Sequence, residues 1–111
     1  MDIKRRKYPR IVYTAGVDIS DVTNRKISYK GIIKNISLGG LAIETENDLP
    51  IGGELRFAFL LPNKKNITTI GKVLWEYKDK VSNYYGVQFV LVGFFSRLKL
   101  KRFINSNLPK T

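Results

Sequence analysis

Two short stretches hold the residues with chemistry to offer. MDIKRRKYPR opens the chain and places Lys4, Arg5, Arg6 and Lys7 in a row, with Arg10 close behind. NISLGG, residues 35–40, sets Asn35 and Ser37 ahead of Gly39 and Gly40. A guanidinium is a planar fork that makes paired hydrogen bonds to phosphate or to the O6 and N7 of guanine, and it can lie flat on a purine. Pro9 biases Tyr8 away from the helical region, so the segment is extended or irregular and Arg6 and Arg10 do not share a helix face. Asn35 donates and accepts, and Ser37 does both through one hydroxyl. The two glycines tolerate positive φ and admit close approach to the backbone. Each stretch also has a local explanation: a solvated basic tail, and a hairpin turn whose Asn and Ser satisfy neighbouring backbone groups. Together they look like two halves of one site for a charged, planar ligand.

Composition narrows the chemistry. The chain has no histidine and no cysteine, which removes Ser-His-Asp and Cys-His catalysis and His- or thiolate-ligated metals. The nine carboxylates include Asp18 with Asp21, and Glu44 with Glu46 and Asp48; at such spacing they read as turn residues or solvated faces. No phosphate-cradling G-x-x-x-x-G-K-[ST] or G-x-G-x-x-G motif occurs. Neither catalytic residues nor a metal site is expected, and the chain is read as a binding protein, not an enzyme. Its formal charge of +11 calls for an anionic partner: a nucleotide, nucleic acid or acidic lipid. Residues 1–10 and 96–111 hold ten of the twenty basic residues and one acid, Asp2, so the charge is terminal.

At 111 residues, 43% hydrophobic and 26% charged, one globular domain is expected. The longest mainly apolar run, residues 86–95, is about half of a membrane span. The basic N-terminus lacks the apolar stretch of a signal peptide. A soluble, cytoplasmic protein with no membrane span is the expectation.

Between residues 11 and 92 the pattern is that of strands. Residues 11–16 alternate before an Asp-rich turn expected at residues 18–21. Residues 27–36 form a second strand ending at NISLGG, and residues 41–45 a third. Leu55, Phe57, Phe59 and Leu61 share one face of a fourth strand, between Pro50-Ile-Gly-Gly and Pro62-Asn63. Residues 67–77 and 84–92 read as a hairpin, and six short strands suggest a small barrel. After Gly93, the spacing of Phe94, Leu98, Leu100, Phe103, Ile104 and Leu108 predicts an amphipathic helix packed on that barrel and stopped by residues 105–109. The division expected is a basic arm over residues 1–10 and a barrel with its helix over residues 11–108.

An R-x-x-x-R before the first strand, Arg6 and Arg10, followed by [D/N]-x-S-x-x-G, Asn35, Ser37 and Gly40, resembles the PilZ domain family. Arg5 and Gly39 flank the motifs as expected, and residues 71–89, with Gly71, Val73, Trp75, Gly86, Val87 and Phe89, look like the family's paired late strands. The resemblance runs from about residue 5 to residue 104.

It implies a mainly β fold, a six-stranded antiparallel PilZ-type barrel with a C-terminal helix, and a receptor for the bacterial second messenger cyclic di-GMP, with no cofactor. Arg6 and Arg10 would hold guanine edges, stack on bases and neutralise phosphates, with Arg5 beside them in the site. Asn35 would hydrogen-bond a guanine, Ser37 a phosphate or base edge, and Gly40, with Gly39 beside it, would keep the turn clear. Asn35 replaces the commoner Asp and so lacks a charge-assisted acceptor. Ligand binding would order the arm and present a new surface to an unidentified downstream protein partner. Two alternatives stand beside it: a single-stranded nucleic-acid-binding barrel using Tyr8, Tyr13, Tyr29, Tyr84 and Tyr85 as stacking platforms, and a PilZ-like interaction module that binds no nucleotide. Nucleic acid is the less favoured partner.

Overall fold

The computed structural model describes residues 8–108 except Arg25 and the side chain of Asn63. Six strands follow in order: β1 (Ile11–Asp21), β2 (Ser28–Ile36), β3 (Gly40–Thr45), β4 (Glu54–Leu61), β5 (Lys65–Lys78) and β6 (Asn83–Val92), then the helix α1 (Phe94–Asn107). The strands close into a barrel in the order β1-β2-β3-β6-β5-β4, every pairing antiparallel. The mainly β barrel with one C-terminal helix is as expected from the sequence.

Alternation drives the closure. Leu55, Phe57, Phe59 and Leu61 of β4 all point inward and are buried. They meet Val17 and Ile19 of β1, Ile33 and Ile36 of β2, Leu41 and Ile43 of β3, and Ile67 and Val73 of β5 in one core. Burying each such side chain contributes about 1.5–3 kcal/mol before the entropy of ordering is charged against it.

Two expectations need correction. Residues 18–21 do not form the first turn: β1 runs through them to Asp21, because Val17 and Ile19 continue the inward face while Asp18 faces out and pairs with Lys30 of β2. The turn follows, and Asp21 closes it by accepting hydrogen bonds from Thr23 N–H (3.0 Å), Thr23 Oγ1 (2.7 Å) and Asn24 N–H (2.9 Å). On α1, Leu100 and Ile104 are buried and Phe103 packs edge-on to Tyr13 at 4.9 Å, but Phe94 (71% exposed) and Leu98 (40%) lie off that face. The helix ends at Asn107, within the stop expected at residues 105–109. No helix among the described residues is long and apolar enough to cross a membrane.

Candidate functional site

Ring order makes β3 and β6 neighbours, with Gly40 opposite Gln88 and Leu41 opposite Val87. The NISLGG turn therefore lies against β6, and the Phe89 N–H donates to the Gly39 carbonyl at 2.8 Å. Residues 8–10 run into β1 on the same side, and a cleft of about 520 Å³ opens between them. Tyr8, Arg10, Ser37, Gly39 and Gly40 line it together. Tyr8 and Arg10 are thereby neighbours of the Ser37–Gly40 turn.

Each residue of the turn has a definite duty. Ser37 is buried, and its Oγ accepts the Gly39 N–H at 3.0 Å and the Gly40 N–H at 3.1 Å. Its own N–H donates to the Gly40 carbonyl at 2.9 Å. The hydroxyl thus shapes the turn first and retains one O–H to donate. Neither Gly39 nor Gly40 adopts a positive φ; among the described glycines only Gly52 does. What requires glycine is proximity. A β-carbon at Gly39 would stand 2.6 Å from Tyr8 Cδ2, and one at Gly40 would collide with the Val87 carbonyl oxygen.

Asn35 does not line the cleft. It stands in β2 opposite Val12 and Ala42, where the ladders to both neighbours are bulged. Its Oδ1 is buried with no hydrogen-bond partner among the described residues, an acceptor left over by the fold. Arg5 and Arg6 lie outside the described residues.

Sequence reasoning missed the rest of the cleft wall. Inward residues of β5 run Ile67, Thr69, Gly71, Val73, so strict alternation would bury Trp75. Instead the β5–β6 ladder shifts between Val73 and Trp75, pairing Trp75 with Gly86. Such a bulge re-aims the side chains after it. The indole is 45% exposed and lies over Gly86, where any β-carbon would strike the ring. A glycine next to the inward Val87 hints at this, but only pairing tells which ring it accommodates. Gln88 of β6 and Arg97 of α1 complete the lining. Among the described residues no Asp or Glu lines the cleft. It is an electropositive recess with an aromatic wall, suited to an anion that carries flat rings.

The tyrosines are mostly committed elsewhere. Tyr85 is fully buried, accepts the Leu49 N–H at 2.9 Å and donates to Glu76 Oε2 at 2.9 Å, and burial pushes its phenol pKa up. The Tyr13 hydroxyl donates to the Leu60 carbonyl at 2.6 Å, and Tyr29 packs against the core. A row of stacking platforms for a single strand is not formed by these three.

The model of the PilZ domain matches residues 4–106, and the chain belongs to the PilZ domain family. No curated protein matches it. Among solved structures, the inhibitor of motility MotI/DgrA of Bacillus subtilis is 23% identical with a TM-score of 0.78, over 98% of this chain and 54% of that one. YcgR of Escherichia coli, solved in complex with c-di-GMP, is 16% identical with a TM-score of 0.76, over 94% of this chain and 46% of that one. The PilZ domain of YcgR with c-di-GMP gives 17% and 0.73, over 93% and 91%. The chain therefore spans about half the length of MotI/DgrA and of full YcgR. At these identities the likeness is one of fold.

Proposed function

We propose that the chain is a cyclic di-GMP receptor whose N-terminal arm and NISLGG turn hold the ligand between them. The observation that carries this reading is the convergence of Arg10, the Ser37–Gly40 turn and Trp75 on one cleft that no carboxylate lines among the described residues. The ligand's two phosphates reward clustered cations, and its two guanines reward guanidinium forks and flat rings. Relatives of the same fold, YcgR and K. pneumonia MrkH, were solved with c-di-GMP.

The roles follow from chemistry. Arg10, with Arg5 and Arg6 of the same arm, supplies charge and bidentate hydrogen bonds. The Asn35 Oδ1, unpaired among the described residues, accepts a guanine N–H once the ligand reaches it. Ser37 donates its remaining O–H, and Trp75 offers a face to a base. Mutual repulsion among the arginines falls when the diphosphate arrives, so binding gathers the arm onto the barrel and part of the binding energy goes into ordering it. The gathered arm is the surface a downstream protein reads.

The test is a calorimetric titration of cyclic di-GMP at about physiological salt, with linear diguanylate, cyclic di-AMP and single-stranded oligonucleotides as controls. Trp75 is the only tryptophan, so its emission should follow the same isotherm. Saturable binding of cyclic di-GMP alone, lost in Arg6→Ala/Arg10→Ala, is expected. A wild-type protein that takes up no cyclic di-GMP sinks the receptor reading, and preference for oligonucleotides would put the nucleic-acid alternative in its place.

A further inference from the structure

β6 ends at Val92 and α1 begins at Phe94, so Gly93 alone joins them. The Arg97 N–H donates to the Gly93 carbonyl at 2.8 Å, closing the first helical turn onto the strand end. A one-residue joint leaves that turn little freedom relative to β6, whose Gln88 and Val90 form part of the cleft wall. Downstream, Leu100 and Ile104 fix the helix against the barrel. Arg97 precedes Leu100 by three residues, which sets it roughly 60° around the axis from the buried stripe. The side chain thus leaves the helix beside the barrel wall and lines the same cleft as Arg10 and Trp75.

Its charge is uncommitted. Among the described residues the ion pairs are Lys30–Asp18, Lys34–Glu44, Lys78–Asp48 and Lys78–Glu76, and none includes Arg97. Lys101, the next cation along that side of α1, is exposed and does not line the cleft. Position, and not the general basicity of the helix, singles out Arg97.

We infer that Arg97 is a third arm of the binding site, a ligand-contacting cation supplied by α1 that grips a phosphate of the bound dinucleotide together with Arg10. The inference rests on the receptor reading and deepens it. Neither sequence motif contains Arg97, and a guanidinium there adds a charge-assisted contact from a further element of the fold. It also ties the ligand directly to the helix, so occupancy is felt in the turn that carries the exposed rings of Phe94 and Phe95.

The experiment is titration of cyclic di-GMP into wild type, Arg97→Ala, Arg97→Lys and Lys101→Ala of the full chain, at low and at physiological salt. Arg97→Ala should weaken binding about tenfold, as expected for loss of one partly solvated charge-assisted contact. Arg97→Lys should recover part of that loss, and the gap to wild type should narrow as salt rises. Lys101→Ala should match wild type, and all four proteins should melt together, which a purely structural role for Arg97 would not give. Wild-type binding with Arg97→Ala equally tight overturns the inference and leaves the receptor reading intact. Equal weakening by Arg97→Ala and Lys101→Ala also overturns it, since diffuse charge would then suffice. No binding by wild type overturns the receptor reading and this inference with it.

Discussion

The ring of Tyr8 rests on the backbone of Gly39, close enough that a β-carbon on the glycine would sit 2.6 Å from Cδ2 and 3.1 Å from Cε2. Tyr8, two residues before Arg10, thus packs its ring on the turn. One glycine further on, the neighbour is not a side chain but the carbonyl of Val87 in β6. Adjacent residues of one motif therefore have different physical work.

That difference predicts two different mutants. Gly39→Ala should push the Tyr8 ring aside and unseat the arm, at a cost of about 1 kcal/mol, the low end for overpacking, because a ring can move. The loss should appear as roughly fivefold weaker ligand binding with little change in melting temperature. Gly40→Ala should wedge β3 from β6 and cost about 3 kcal/mol of stability, since backbone cannot step aside. Calorimetry and thermal melts on both variants check this, and matched stability losses would refute the division of labour.

Thr69 offers a stabilising change. Its side chain points into the barrel, is 2% exposed, and its Oγ1 finds no hydrogen-bond partner among the described residues. A buried hydroxyl without a partner costs about 1–3 kcal/mol, and valine has nearly its shape. Thr69→Val should raise the denaturant midpoint by an amount worth about 1 kcal/mol, leaving ligand affinity unchanged. A lower midpoint would mean that the hydroxyl is satisfied in solution.

Acid stability should carry the mark of Asp21. Its carboxylate is held below its ordinary value of 3.8 by the Thr23 hydroxyl first, then by the backbone N–H groups of Thr23 and Asn24. A depressed carboxylate stabilises the fold above its unfolded pKa, and that contribution drains away as pH falls through the lowered folded value. Melting temperatures of wild type and Asp21→Ala should differ at neutral pH and converge on acidification below about 3.8. Parallel curves down to pH 2 or so would show that the turn does not depend on this charge.

How far the molecule could be read from its residues varied with how local the cause was. β4 was legible from end to end, because Leu55, Phe57, Phe59 and Leu61 alternate between clear breakers. Asp18 and Asp21 misled, since one acid on the outer face of a strand and another at its end look like a turn until Val17 and Ile19 are weighed against them. On α1, Phe94 and Leu98 fit a helical period yet lie off the buried face, which the barrel chooses and the period alone does not. Arg10, Ser37, Gly39 and Gly40 could be grouped by motif. Trp75 could not, because a bulge inverts its facing, and Arg97 could not, because only the fold carries α1 back to the cleft.

The ring closure has one more consequence. β1 is hydrogen-bonded to β2 on one side and β4 on the other, and β3 and β6 seal the remaining seam. Each strand thus has a neighbour on both sides, which leaves as open backbone only the overhangs, residues 11–16 of β1 and 74–78 of β5, beyond their pairing with β4. A partner of the proposed receptor would therefore meet either side chains or one of those two overhangs.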